Sequence, residues 1–156
     1  MTKIEKACLK DLGGVKKLNT LLKIQLKNPG KNIDVKDFYW NTGSYIKAAI
    51  SGNRCFVIKD NAMIKGAMIM EHRFSDDQYP HASLAIGTLS VHPKFRKNGL
   101  GVQLVEYAKA IAKKKRLYVE SFLEFRQLSF YKRLGFNEGP RKEYYDKPYH
   151  VLFINS

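Results

Sequence analysis

The feature that most constrains this chain is a change of hydrophobic period across one short polar bend. Ser83 to Val91 reads as a central β-strand, and Pro93 prevents that strand from continuing. From Leu100 to Lys114 the period becomes helical, with Leu104, Val105, Ala108, Ile111 and Ala112 on one face. A strand, a tight turn and an amphipathic helix therefore follow one another directly, which points to a mixed α/β architecture.

The bend itself carries chemistry. Arg96-x-x-Gly99-x-Gly101 places two glycines where backbone amides approach something closely. At the positive end of a helix dipole, free N–H groups that point outward together suit a pyrophosphate, and Arg96 and Lys97 add formal charge beside them. Taken alone the pattern is weak: Gly99 reads equally as a turn glycine and Gly101 as a packing glycine. The rival phosphate motifs fail, because neither G-x-G-x-x-G after an early strand nor G-x-x-x-x-G-K-[ST] is present.

Around this segment the chain reads as one domain over residues 1–156, since no repeat, low-complexity tract or Pro/Ser-rich linker interrupts it. A first strand is expected over Lys3 to Leu9 and a helix from about Gly14 to Lys27, stopped by Asn28-Pro29-Gly30. Asp34 is placed to cap a second helix running to about Ser51, kinked near Gly43. Cys55 to Ile58 and Met63 to Glu71 read as a hairpin around Asp60-Asn61. After the long helix come a strand over Leu117 to Ser121, a short helix over Arg126 to Leu134, and closing strands from Phe136 and from Tyr149 to Ile154. The order is β-α-α-β-β-β-α-β-α-β-β.

Composition bounds the remaining classes. Hydrophobic residues make up 44% and aromatic residues 12% of 156, the profile of a folded chain with a core. The charged N-terminal hexapeptide is unlike a signal peptide and no apolar run approaches the roughly 20 residues of a membrane span, so a soluble, cytoplasmic protein without a membrane partner is expected. Cys8 and Cys55 each lie in an apolar run and are expected as buried thiols; with four scattered histidines they make no metal-binding spacing. Twenty-eight Lys and Arg against 14 Asp and Glu leave a net charge of +14, a surface that attracts polyanions, nucleotides and nucleic acid among them.

About thirty residues beyond the bend, Phe130-Tyr131-Lys132-Arg133-Leu134-Gly135-Phe136 ends the short helix at Gly135 and begins a strand at Phe136. With this segment the chain resembles the GCN5-related N-acetyltransferase (GNAT) family. The matching pieces are the strand at Leu89-Ser90-Val91, the Arg96 to Gly101 loop, the amphipathic helix, the strand from Leu117 to Glu120 and the F-Y-K-R-L-G-F segment, spanning about Ser83 to Phe136. The resemblance implies a central mixed, mostly antiparallel sheet of six to seven strands flanked by about four helices. It also implies acetyl-coenzyme A as acetyl donor, with no metal.

In the family the central strand and its neighbour splay apart and the pantetheine arm enters the gap. Here that assigns pairing to the backbone of Leu89, Ser90 and Val91, and the pyrophosphate to Arg96, Lys97, Asn98, Gly99, Leu100, Gly101 and Val102. A β-carbon at Gly101 is expected to intrude on the phosphate. The family often carries Asn and Ala at the positions of Glu124 and Gln127; the departure weakens a side-chain role there, while Gln127 and Tyr131 stay among the residues expected near the cofactor. Dimers are common in the family.

The reaction implied is direct attack of a neutral amine on the thioester. Holding a lysine-like amine neutral at pH 7 costs roughly 4–5 kcal/mol unless the site helps. Tyr131 occupies the family's general-acid position, and a phenol stays protonated at neutral pH to serve the leaving thiolate. The central strand has no carboxylate or histidine, so Glu71 and His72 on the preceding strand and Glu120 on the following one are the candidate bases. The acceptor is expected against the early helices, the Ser75 to His81 loop and the closing hairpin, a region holding Phe38, Tyr39, Trp40, Tyr79, Tyr144, Tyr145 and Tyr149. The basic surface favours an acidic small molecule, an acidic protein segment or an RNA-borne amine such as an aminoacyl-tRNA. The competing reading is a non-catalytic module of this fold that binds coenzyme A or nucleic acid as an interaction protein.

Overall fold

Side-chain alternation sorts this chain into two layers of core around one sheet. The computed structural model describes residues 3–21, 24–25, 32–33, 41–73, 83–113, 115–122, 127–144 and 147–155. Seven strands form the sheet: β1 (Ile4–Lys6), β4 (Cys55–Asp60), β5 (Met63–Arg73), β6 (Ser83–Val91), β7 (Arg116–Phe122), β8 (Asn137–Tyr144) and β9 (Lys147–Asn155). Their spatial order is β1-β4-β5-β6-β7-β9-β8, with every pair antiparallel except β6 with β7. A two-residue pair, β2 (Ile24–Gln25) with β3 (Asn32–Ile33), lies outside it.

Among the described residues four α-helices cover the faces: α1 (Leu12–Thr20), α2 (Gly43–Ser51), α3 (Leu100–Ala112) and α4 (Leu128–Arg133). On one face Val15 and Leu18 of α1 and Ile46, Ala49 and Ile50 of α2 bury Cys55, Val57, Ala67 and Ile69. On the other, Leu104, Val105 and Ala108 of α3 and Tyr131 of α4 bury Phe56, Ile58, Met68, Met70, Leu84, Ile86, Leu117 and Val119. Adjacent residues of one strand, such as Val57 and Ile58, thus feed opposite layers, as a period of two requires. At roughly 1.5–3 kcal/mol for each fully buried aliphatic side chain, these two layers dominate the stability.

Several boundaries differ from the sequence expectation, for local reasons. The periodicity predicts a helix over Gly14 to Lys27, whereas α1 runs over Leu12–Thr20 and the Ile24–Gln25 backbone pairs with Asn32–Ile33 instead. Residues 34–40, with the proposed Asp34 cap, lie outside the described residues. The observed cap of α2 is Thr42, whose hydroxyl accepts from the Tyr45 N–H at 3.2 Å, so the helix begins where a kink at Gly43 is expected. Cys55 is buried as expected, but Cys8 is exposed. β1 has already ended at Lys6, and the Cys8 thiol turns to the Asp11 carboxylate.

Candidate active site

The central strand parts company with its neighbour halfway along. β6 pairs in parallel with β7 at three positions, Leu84↔Leu117, Ala85↔Tyr118 and Ile86↔Val119, and then continues to Val91 without it. β7 meanwhile stays paired to β9 out to Phe122↔Tyr149. The result is a wedge-shaped gap whose vertex is Gly87. Opposite the same point the β5–β6 register slips between Ile69 and Met70: Ile69 pairs with Thr88 and Met70 with Ile86, so Gly87 is the extra residue of a bulge.

The bulge decides which backbone groups face the gap. His92 donates its N–H to the Lys65 carbonyl across β5, at 2.8 Å. Hydrogen-bonding direction alternates along an antiparallel strand, so Ser90 also faces β5 while the N–H and C=O groups of Leu89 and Val91 turn toward the gap. About 13 Å of strand edge from Gly87 to Val91 is thereby left without a β7 partner. An extended chain with amide groups of its own is the natural complement of such an edge. The Ser90 side chain is not part of it, since it points to α1 and donates to Asn19 Oδ1 at 2.6 Å in a buried pair.

At the mouth of the gap the chain turns through Pro93–Phe95 into α3. Lys97 and Gly99 both have left-handed backbone, at φ 69° and 77°. Gly99 is the N-cap residue of α3 and offers no side chain, so no side-chain bond caps the first turn. The N–H groups of Leu100, Gly101 and Val102 thus meet the positive end of a 13-residue helix. Arg96, Lys97, Asn98 and Gly99 are exposed around it. The Arg96 guanidinium folds back along the strand edge and donates from Nε to the Val91 carbonyl at 3.3 Å.

The two glycines differ in purpose. Around Gly99 a β-carbon would meet nothing within 4 Å, and glycine is favoured there by its backbone angle. A β-carbon on Gly101 would instead lie 3.3 Å from the Phe130 ring and 3.9 Å from Val91. The contact visible at Gly101 is the close seating of α4 on the first turn of α3.

Behind the gap stands Tyr131, buried at 2% exposure in the apolar layer that also contains Leu89 and Val91. Phe130 and Phe136 meet its ring edge-on, at 5.0 and 5.5 Å between centroids. Burial pushes its phenol well above the ordinary tyrosine range, which keeps the proton on. Its backbone is anchored at both ends, donating to the Gln127 carbonyl and accepting from Leu134 and Phe136. For Gln127 this shows a backbone contact with α4.

The two carboxylates singled out from the sequence lie on the strands either side of β6, Glu71 on β5 and Glu120 on β7. Glu71 pairs in register with Ala85, and a β-carbon built on Gly87 would lie 2.7 Å from its Cδ and Oε1. The Glu71 carboxylate thus occupies the space that glycine leaves. It accepts a hydrogen bond from the hydroxyl of Tyr45 on α2. Glu120 is one residue past Val119, the last residue of β7 to pair with β6, and is exposed. His72 is exposed at the outer end of β5. Of the aromatic residues expected around an acceptor, Tyr149 packs with Ala85, Tyr118 and Val151. Phe38, Tyr39, Trp40, Tyr79, His81 and Tyr145 lie outside the described residues. Sequence reasoning missed Tyr45 and Gly87. A glycine inside a strand is a known mark of a bulge and was the available clue for the second; nothing in the sequence marks Tyr45.

Comparison with known proteins places this arrangement. A family model described as an acetyltransferase (GNAT) domain matches residues 51–138, more than half of the chain. Among solved structures, a GNAT-family acetyltransferase from Bacillus cereus ATCC 10987 superposes with a TM-score of 0.73 at 18% identity, covering 99% of this chain and 97% of that one. Arabidopsis thaliana Naa50 in complex with the bisubstrate analogue CoA-Ac-MVNAL gives 0.72 at 18% identity, over 98% and 97%. The ribosomal-protein-S18-alanine N-acetyltransferase of Escherichia coli gives 0.65 at 17% identity, over 99% and 93%. At these identities the likeness is one of fold. No curated protein sequence matches the chain significantly.

Proposed function

The chain belongs to the GNAT acetyltransferase family, and on that premise we propose that it is an acetyl-coenzyme A-dependent N-acetyltransferase acting on a primary amine. The observation that carries the reading is the coincidence of an edge of β6 without a β7 partner and an α3 N-terminus without a side-chain cap at its open end. An extended amide-bearing arm ending in a pyrophosphate has its complement in that pair of features.

The residues fit the cofactor. Leu89 and Val91 offer backbone groups to the arm, and Leu100, Gly101 and Val102 offer first-turn N–H groups to the phosphates, with Lys97 and Asn98 beside them. Arg96 can serve the phosphates after releasing the Val91 carbonyl. The bound thioester supplies an acyl carbon open to attack. Glu71 and Glu120 flank Gly87 on the face of α1 and α2, where an ammonium group is attracted and can surrender a proton. The N–C bond forms as the C–S bond breaks. The ammonium sheds two protons in all: one passes through a carboxylate to water, and the other ends on the coenzyme A sulfur. Tyr131, held protonated by burial, is the donor on the opposite face.

A net charge of +14 favours an acceptor that is acidic, or borne on an acidic molecule, over a polycation. Two of the similar structures carry a peptide or protein acceptor in their names, CoA-Ac-MVNAL for Naa50 and ribosomal protein S18 alanine for the Escherichia coli enzyme, so an alanine-first peptide, a lysine-containing peptide and a diamine form a first acceptor panel. The test is calorimetric titration with acetyl-coenzyme A followed by thiol release with that panel. Saturable binding and amine-dependent release support the reading. Failure to bind millimolar cofactor overturns it.

A further inference from the structure

We propose that Tyr45 is a positioning residue of this site: its hydroxyl holds the Glu71 carboxylate over Gly87, at the point where β6 parts from β7, so that Glu71 receives the incoming ammonium there. The proposal rests on the N-acetyltransferase reading and adds to it the face of approach and the device that sets the base.

Three independent observations converge on Gly87. It is the first residue beyond the last β6–β7 pair. It is the extra residue of the β5–β6 bulge. It is also where the missing β-carbon admits the Glu71 carboxyl group, which any side chain would displace from 2.7 Å. A thioester whose arm lies along Leu89 and Val91, coming from the α3 N-terminus, reaches this vertex next. The carboxylate is therefore placed against the end of the gap and on the face opposite Tyr131.

The segment carrying Glu71 is fastened to α2 at both ends of that helix. At its start the Tyr45 N–H is tied to the Thr42 hydroxyl at 3.2 Å while the Tyr45 hydroxyl donates to Glu71 Oε1. Past its end Arg54 donates its N–H to the Ala49 carbonyl, at 2.8 Å. The same Arg54 grips Met70, the residue before Glu71: the Met70 N–H donates to the Arg54 carbonyl and Arg54 Nη1 donates to the Met70 carbonyl, each at 2.8 Å. Met70 is where the register slips. Bulge, carboxylate and helix are thus joined by hydrogen bonds, and the Tyr45 hydroxyl links the helix to the carboxylate. A charge-assisted hydrogen bond of this kind orients its carboxylate more firmly than a neutral one.

The experiment uses the full chain with side-chain carboxyl carbons of glutamate labelled with carbon-13. The Glu71 and Glu120 resonances are assigned by Glu71→Gln and Glu120→Gln, and each is followed with and without acetyl-coenzyme A. In the wild type, the Glu71 resonance shifts on saturation with the cofactor. In Tyr45→Phe it moves already in the free protein and its cofactor response falls by about half or more, while calorimetry gives an acetyl-coenzyme A Kd within about threefold of wild type. The Glu120 resonance is the internal control and keeps its wild-type position. Gly87→Ala, checked for an unchanged thermal transition, loses the Glu71 response as well. An unmoved Glu71 resonance in Tyr45→Phe, or a cofactor-bound wild type whose Glu71 resonance does not respond, overturns this proposal alone. Absence of cofactor binding by the wild type overturns the transferase reading and this proposal with it.

Discussion

Gly99→Asp separates the proposed role of the α3 N-terminus as an anion site from its role in the fold. Gly99 has φ 77° and open space where a β-carbon would go, so aspartate meets no clash. The left-handed backbone costs a non-glycine residue about 1–2 kcal/mol, although aspartate is among the residues that tolerate it best. A negative charge at a helix N-terminus returns about 0.3–1 kcal/mol. The thermal transition should therefore move by only a few degrees. Binding should suffer far more. A carboxylate about 5 Å from one phosphate charge repels it by roughly 3 kcal/mol at an effective dielectric of about 20. That corresponds to at least about a hundredfold weaker acetyl-coenzyme A binding in calorimetry. Gly99→Asn has nearly the same shape without the charge and should bind within several-fold of wild type. Wild-type affinity in the aspartate variant, or an equal loss in the asparagine variant, would refute the electrostatic argument.

Tyr131→Phe removes the proposed proton donor while keeping the edge-on ring packing against Phe130 and Phe136; thiol release should fall by about 10²-fold or more with the cofactor Kd unchanged, as followed by single-turnover kinetics and calorimetry. A disulfide-exchange thiol reagent should titrate Cys8 in the native protein and Cys55 only after denaturation, because the first is exposed and the second buried. Burial, helped by the Asp11 charge and opposed by Arg54, pushes the Cys55 thiol from its ordinary 9.0 up to about 12. Between those values the folded state holds a proton that the unfolded chain has lost, so stability should fall as pH rises from about 9; urea midpoints measured from pH 8 to 11 should show the decline, with a shallower slope in Cys55→Ala. Gly135→Ala should cost about 1–2 kcal/mol in the same assay, since it forces a β-carbon onto a φ of 96° and within 3.1 Å of Ile154.

Much of this site was written in short stretches of sequence. The strand over Ser83–Val91, the glycine-bearing bend and the amphipathic α3 are contiguous, and local period and turn chemistry specify each of them. The resemblance to the family rested on the same local features, and so it survived errors at α1, where the hydrophobic period ran on through residues whose backbone pairs as β2. Gly101 carries a second constraint that its spacing within the motif does not display: a β-carbon there would crowd Phe130, almost thirty residues later.

The vertex of the gap was decided by tertiary structure alone. It depends on the register of β5 against β6 and of β6 against β7, and a slip of one residue would send every following side chain to the other face. Glu71 and Glu120 could be named from the sequence because carboxylates there are few. That Glu71 meets Gly87, with Glu120 on the strand beyond, follows from strand pairing between segments that share no local pattern. Tyr45 reaches the site from 26 residues away through helix packing. The residue types and the strand–bend–helix order were legible in the chain itself, because short-range sterics and period encode them. The meeting of Tyr45, Glu71 and Gly87 was not, because it is a property of how distant segments bury one another's apolar faces.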